Sequence, residues 1–203
     1  VSCPAFAEAV WRLAMRGGLE DVSPRQVAAE AGVSARLLQC HFGTRDQLLL
    51  GALEILNADA ERRARERLMH LDGTGDMRAI VRGVLLEMLP LDEERRSRYL
   101  VHVAFFVRFL ADEDLAEAVR DGPRALEDLV TDLLRQGREL GQARPDIDAR
   151  AEAAFLLAGA EGLQTSMLLG QRTPDEAEAL LNHRIDRIFP GEPAEHPAGA
   201  RPA

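Results

Sequence analysis

The chain has 203 residues, 46% of them apolar, and carries 25 basic residues, all arginine, against 34 acids, for a net charge of −9. That length is ample for a buried core, either as one large domain or as a small domain plus a larger one. The acidic balance argues against a sequence-blind nucleic-acid binder, whose affinity rests on neutralising phosphates.

The N-terminal stretch VSCPAFAEAV lacks a basic region followed by an apolar one, and no uninterrupted apolar run of about 18 residues occurs, so the expectation is a cytoplasmic protein with no membrane partner. Cys3 and Cys40 have neither the spacing of a disulfide framework nor that of a zinc site. No cofactor and no metal is expected. Residues 1–50 hold five Arg and five acids, so the whole negative charge lies beyond residue 50. Specific DNA binding through a few placed side chains remains open to the neutral segment.

Helical punctuation recurs along the chain and strand alternation does not, so the fold reads as all-α. Ser23-Pro24-Arg25-Gln26, Thr44-Arg45-Asp46-Gln47 and Thr173-Pro174-Asp175-Glu176 have the form of capping boxes, and two of them place Pro at the first helical position. Helices are expected at 4–17, 24–31, 35–41, 45–70, 76–89, 92–111, 115–120, 123–141, 147–170 and 174–188. Breaks fall at Gly17-Gly18, Gly32, Gly43, Asp72-Gly73-Thr74-Gly75, Pro90, Gly122-Pro123 and Arg144-Pro145. The residues after Phe189, PGEPAEHPAGARPA, are too rich in Pro, Gly and Ala to pack and are expected to be disordered.

Ser23 to Leu49 is the informative segment. A short capped helix, Pro24 to Ala31, runs into Gly32-Val33-Ser34 and then a second short helix from Ala35 to His41, which is the helix-turn-helix arrangement. Gly32 can take the positive φ of a tight turn, Val33 can plug the space between the helices and Ser34 can cap the second. An ordinary helical hairpin would show the same features taken alone. Val27, Ala31, Val33, Leu38, Phe42 and Leu48 are the expected core, and Trp11 is read as core rather than as a base stack.

With its flanks, AEAVWRLAMRGGLEDVSPRQVAAEAGVSARLLQCHFGTRDQLL closely resembles the DNA-binding part of the tetracycline-repressor (TetR) family of bacterial regulators, over about residues 5 to 50. Two departures are Gln39, where many members carry Tyr, and the lack of a basic arm before the first helix. The resemblance implies a three-helix DNA-binding domain at 1–50, a helical ligand-binding and dimerisation domain at 51–189, and a tail at 190–203. It also implies that the second short helix enters the major groove, with Ala35, Arg36, Leu37, Gln39, Cys40 and His41 as candidates for its exposed face.

Arg36 is the best candidate base reader, since a guanidinium bonds guanine O6 and N7 bidentately, and Gln39 can pair with adenine N6 and N7. Phosphate contact or plain solvation are the alternatives for both. Cys40 reads as a contact or packing residue, not a redox sensor. Ser23, Ser34 and Thr44 stand at helix starts, where free N–H groups and the dipole favour a phosphate. Arg25, His41 and Arg45 are further expected phosphate contacts, Arg25 with plain exposure to water as its alternative.

The same resemblance implies a homodimer in which the helices at 123–141 and 147–170 pair with their copies across a two-fold axis. The expected interface is Leu126, Leu129, Val130, Leu133, Ala154, Phe155, Ala158 and Gly162, where small residues let backbones approach; an internal core helix is the alternative. Met69, Ile80, Val84, Met88, Tyr99, His102, Phe105, Phe106 and Phe109 are candidates to line an apolar ligand cavity and are as readily ordinary core. The C-terminal helical lengths resemble the choline-responsive members, though no residue identifies choline.

The expected function is therefore a regulator that reads a palindromic operator, a repressor released by an unknown small-molecule effector. Two other readings are an interaction protein that kept the fold without DNA, and a small all-α enzyme. The five His show no close metal spacing, and no P-loop, G-x-S-x-G or dinucleotide fingerprint is present.

Overall fold

The structure, a computed structural model, describes residues 3–72, 75–110, 116 and 120–190. Among them all regular structure is helical: α1 (Cys3–Gly17), a 3-10 turn (Leu19–Asp21), α2 (Pro24–Ala31), α3 (Ala35–Phe42), α4 (Arg45–Asp72), α5 (Met77–Met88), α6 (Glu93–Leu110), α7 (Asp121–Glu139), α8 (Ala149–Leu168) and α9 (Pro174–Ile188). The all-α reading holds, and each observed helix lies within about two residues of its expected bounds. The 3-10 turn is an addition. The expected helix at 115–120 and the tail beyond residue 190 lie, apart from Ala116 and Arg120, outside the described residues.

Starts and stops follow the sequence chemistry. Thr173 and Glu176 form a reciprocal box, the Thr173 hydroxyl accepting from the Glu176 amide at 3.3 Å and the Glu176 carboxylate from the Thr173 amide at 2.8 Å. Thr44 and Gln47 do the same at 3.2 Å in each direction. At Ser23 the hydroxyl caps the Gln26 amide at 3.3 Å and donates to the Gln26 side chain at 2.6 Å, so that box closes through side chains only. Asp76 and Asp148 cap α5 and α8 in the same manner.

By their contacts, the described residues group into two compact units, one within 1–69 and 90–124, the other within 70–89 and 125–190. The first is built around one apolar cluster. Phe6, Val10 and Ala14 come from α1, Leu19 from the 3-10 turn, Val27 and Ala28 from α2, Leu38 from α3, Leu48, Leu49, Ala52 and Leu53 from α4, and Val101, Phe105 and Phe109 from α6. Helical spacing of three and four residues puts each set on one face. Each fully buried large side chain among them contributes about 1.5–3 kcal/mol. Trp11, Ala31, Val33 and Phe42 pack against this cluster from partly buried positions.

In the second unit α5, α8 and α9 pack on one another. Their inward stripes are Met77, Ile80, Val81, Val84 and Leu85; Ala153, Leu156, Leu157, Ala160 and Gln164; and Ala177, Leu181, Ile185 and Ile188. Gln164 is a buried polar exception. Its amide nitrogen donates to the carbonyl of Met88, the last residue of α5, whose helical partner lies beyond the helix end. Arg82 of α5 reaches Asn182 at 2.7 Å and Glu178 at 3.0 Å on α9.

Candidate nucleic-acid interface

The turn between α2 and α3 is closed by Gly32 at φ 67, ψ 33. The Val33 amide donates to the Ala28 carbonyl at 2.9 Å and the Gly32 amide to Ala29 at 3.4 Å, the Schellman pattern, which requires the left-handed conformation glycine takes without steric cost. Ser34 then caps α3, its hydroxyl accepting from the Leu37 amide at 3.1 Å.

Within α3 only Leu38 is buried. Ser34 just before it and Ala35, Arg36, Leu37, Gln39, Cys40 and His41 are all exposed, so the expected reading residues share a helix that turns nearly its whole surface outward. Cys40 is a free thiol. The C-terminal end is held by Phe42, whose ring stacks on Phe6 of α1 with centroids 4.5 Å apart and meets the His41 ring edge-on at 4.7 Å. At the Cε1 edge of the ring lies Gly51 of α4, where an added Cβ would stand 2.8 Å from Phe42. Glycine is what lets α4 approach α3 here.

The expected phosphate contacts differ in their freedom. Arg25 and Thr44 are exposed, and Ser23 is half-buried. Arg45 is half-buried and engaged: its Nε donates to the Val22 carbonyl at 2.7 Å and a terminal nitrogen donates to the Leu19 carbonyl. Val22 is wholly inaccessible to solvent, so Arg45 satisfies a carbonyl that water does not reach. Beside it Asp46 pairs with Arg108 of α6 at 2.7 Å.

Two ties escaped the sequence reading. Arg12 and Arg16, one turn apart on α1, converge on Glu30 of α2, the first at 2.8 Å. The bonds from Arg12 and then Arg16 hold the Glu30 carboxyl below its ordinary pKa. The i, i+4 spacing of the two arginines shows that they share a face; their partner fourteen residues on is a tertiary fact.

The expected interface residues divide. Leu129, Ala154, Phe155, Ala158 and Gly162 are exposed, Phe155 at 71%, and an added Cβ at Gly162 meets nothing within 4 Å of its own chain. Leu126 and Leu133 are half-buried, and Val130 is enclosed in the chain's own core. The candidate cavity residues fall in different units: Ile80, Val84 and Met88 belong to the second, whereas Met69, Tyr99, His102, Phe105, Phe106 and Phe109 belong to the first. Phe105 and Phe109, with centroids 5.8 Å apart, are fully buried in the cluster shared with α1. Met69, His102 and Phe106 are exposed. Among the described residues no cluster of three or more metal-ligating side chains occurs, and no helix is long and apolar enough to cross a membrane.

Comparison with known proteins agrees with this geometry. Residues 7–52 match the family described as bacterial regulatory proteins, tetR family, and residues 77–190 match the BetI-type transcriptional repressor C-terminal family. The HTH-type transcriptional regulator PksA of Bacillus subtilis is 30% identical over 191 residues, covering 90% of this chain and 87% of that protein. The regulator BetI of Brucella suis is 26% identical, covering 85% and 82%. A transcriptional regulator from Rhodococcus superposes with a TM-score of 0.77 at 30% identity, over 93% of this chain and 96% of that one. A putative transcriptional regulator from Saccharomonospora viridis, solved in complex with choline, superposes with a TM-score of 0.80 at 24% identity, over 93% and 97%. The chain belongs to the TetR family of bacterial transcriptional regulators and is a sequence-specific DNA-binding protein of that family.

Proposed function

We propose that the protein acts in the cytoplasm as a repressor, binding a palindromic operator as a homodimer through α3 and leaving it when a small organic effector binds. The observation that carries the DNA reading is α3 itself: a capped helix whose single buried residue is Leu38 and whose Arg36 and Gln39 are free to meet base edges. Ser23, Arg25, Ser34 and Thr44 surround it at the helix starts, where amide donors suit phosphate, and Ala35, Leu37, Cys40 and His41 complete the surface. The dimer reading is supported by the exposed face of α8, where Phe155 stands out beside the likewise exposed Ala154, Ala158 and Gly162. The effector reading is supported by the choline complex of the Saccharomonospora neighbour and by the stearoyl-CoA complex of FadR from Bacillus subtilis. Those ligands belong to those proteins and leave the chemical class open here.

The test is selection of tight sequences from a random duplex pool, followed by affinities for single-base variants of the recovered site. Arg36→Ala is expected to cost about 1–3 kcal/mol on the best site and to relax preference at one base position. An equal loss on every sequence reassigns Arg36 to the phosphate backbone, and failure to recover any sequence removes the operator-binding reading.

A further inference from the structure

We propose that Arg45 is a positioning residue for operator recognition, acting by clamping the turn before α2 to the start of α4 rather than by touching DNA. This rests on the DNA-binding reading above and assigns one residue of that surface a different task. The side chain spans 23 and 26 residues of sequence to donate to the carbonyl of Val22, just past the 3-10 turn and next to the Ser23 cap, and to that of Leu19, the first residue of the turn. Leu19 and Val22 are themselves core residues, 5% and 0% exposed, so the turn is fixed by its side chains below and by the guanidinium above.

The geometry uses the fork of arginine. Nε and one terminal nitrogen engage two acceptors at once, leaving the other terminal nitrogen outside both bonds. A lysine ammonium at the same place is a point charge without that fork. It suits a phosphate equally well and a pair of fixed carbonyls poorly.

The consequence for recognition follows from connectivity. Ser23 caps α2, α2 runs through Gly32 into α3, and the far end of α3 returns through Gly43 and Thr44 to Arg45 itself. Arg45 therefore closes a loop of chain that contains the whole helix-turn-helix. Opening the loop leaves the charges of the surface in place and frees the angle at which α3 is presented, so sequence-specific binding should suffer while binding to arbitrary DNA does not.

The experiment uses the full chain, wild type, Arg45→Lys and Arg45→Ala, with two duplex probes of equal length: the sequence recovered by selection on the wild-type protein and a scrambled version of it. Affinities are measured over a series of salt concentrations. The clamp predicts that Arg45→Lys loses about tenfold or more on the selected duplex, keeps its affinity for the scrambled one within about twofold, and keeps the salt slope. Arg45→Ala also removes a charge, so the lysine variant decides. Wild-type affinity of Arg45→Lys on the selected duplex overturns the proposal. So does a loss of equal factor on both duplexes, which is what a phosphate contact or a smaller folded fraction produces; a salt slope lowered by about one in Arg45→Ala on both duplexes, with the lysine variant intact, identifies the phosphate contact. If selection returns no preferred sequence, the DNA-binding reading fails and the clamp with it, a result distinct from a lysine variant that binds normally.

Discussion

Gly51→Ala sets two known effects against each other at one atom. In the interior of a helix, replacing glycine by alanine stabilises by about 0.5–1 kcal/mol through the unfolded chain's lost freedom. At Gly51 the new Cβ would lie 2.8 Å from Cε1 of Phe42 and 3.5 Å from Cδ1, the first well inside the 3.4 Å at which ordinary contact begins. Phe42 is held in place, one face stacked on Phe6, a residue only 2% exposed, and its ring meeting that of His41 edge-on. Overpacking of this kind costs about 1–3 kcal/mol. The steric term wins, and the net expectation is a loss of about 1 kcal/mol, or about 2–4 °C in melting temperature for a chain of this size.

Thermal and urea melts of wild type, Gly51→Ala, Phe42→Leu and the double variant form the assay. A leucine has no ring end at the Cε1 position, so the double variant should be more stable than the sum of the single losses predicts, by about 0.5 kcal/mol or more. The operator affinity of Gly51→Ala should fall as well, since Phe42 is the last residue of α3. A Gly51→Ala protein as stable as wild type, or a loss that is the same in the Phe42→Leu background, refutes the argument from close approach.

Glu30 carries a pH signature. Its folded pKa lies below the ordinary carboxyl value of about 4.3 because Arg12 and then Arg16 bond it; the stabilisation is therefore present above that ordinary value and is lost as the pH falls through the lower, folded one. Urea midpoints of wild type and Glu30→Gln should differ at pH 7 and converge as the pH drops below about 4; a difference independent of pH excludes the ion-pair explanation. On the exposed face of α8, Ala158→Glu with Gly162→Glu should convert a dimer to monomers in sedimentation, with the monomer still helical. A variant that remains dimeric moves the interface elsewhere.

Much of this architecture was legible in the sequence because caps and turns are local. Ser23, Ser34, Thr44, Thr173 and Gly32 act within a few residues of themselves, and their roles can be read from spacing alone. Apolar stripes were equally legible as faces, which is why Val27, Leu38 and Leu48 appear where the core was expected. What lies opposite a face is another matter. Phe105 and Phe109 share a stripe that suits a cavity wall as well as a helix contact, and the contact with the α1 cluster depends on a chain some hundred residues earlier. Val130 belongs by periodicity to the same stripe as Leu129, yet one is enclosed and the other half in water. Arg45 next to a helix start looks like an anion contact by every local criterion, and only the path of the chain through Leu19 and Val22 supplies the carbonyls that occupy it.

An eight-residue helix held by one buried leucine and one half-buried phenylalanine separates two kinds of change. Leu38 and Phe42 fix where the helix lies; Arg36, Gln39 and Cys40 are exposed and have no packing duty to betray. Mutations at those outward positions are therefore nearly free of folding cost, and lineages can drift from one operator to another through intermediates that all remain folded. The same separation makes the helix a replaceable cartridge: exchanging its outward residues for those of another regulator, with Leu38, Phe42 and the glycine opposite left untouched, transfers a binding preference without rebuilding the protein beneath it.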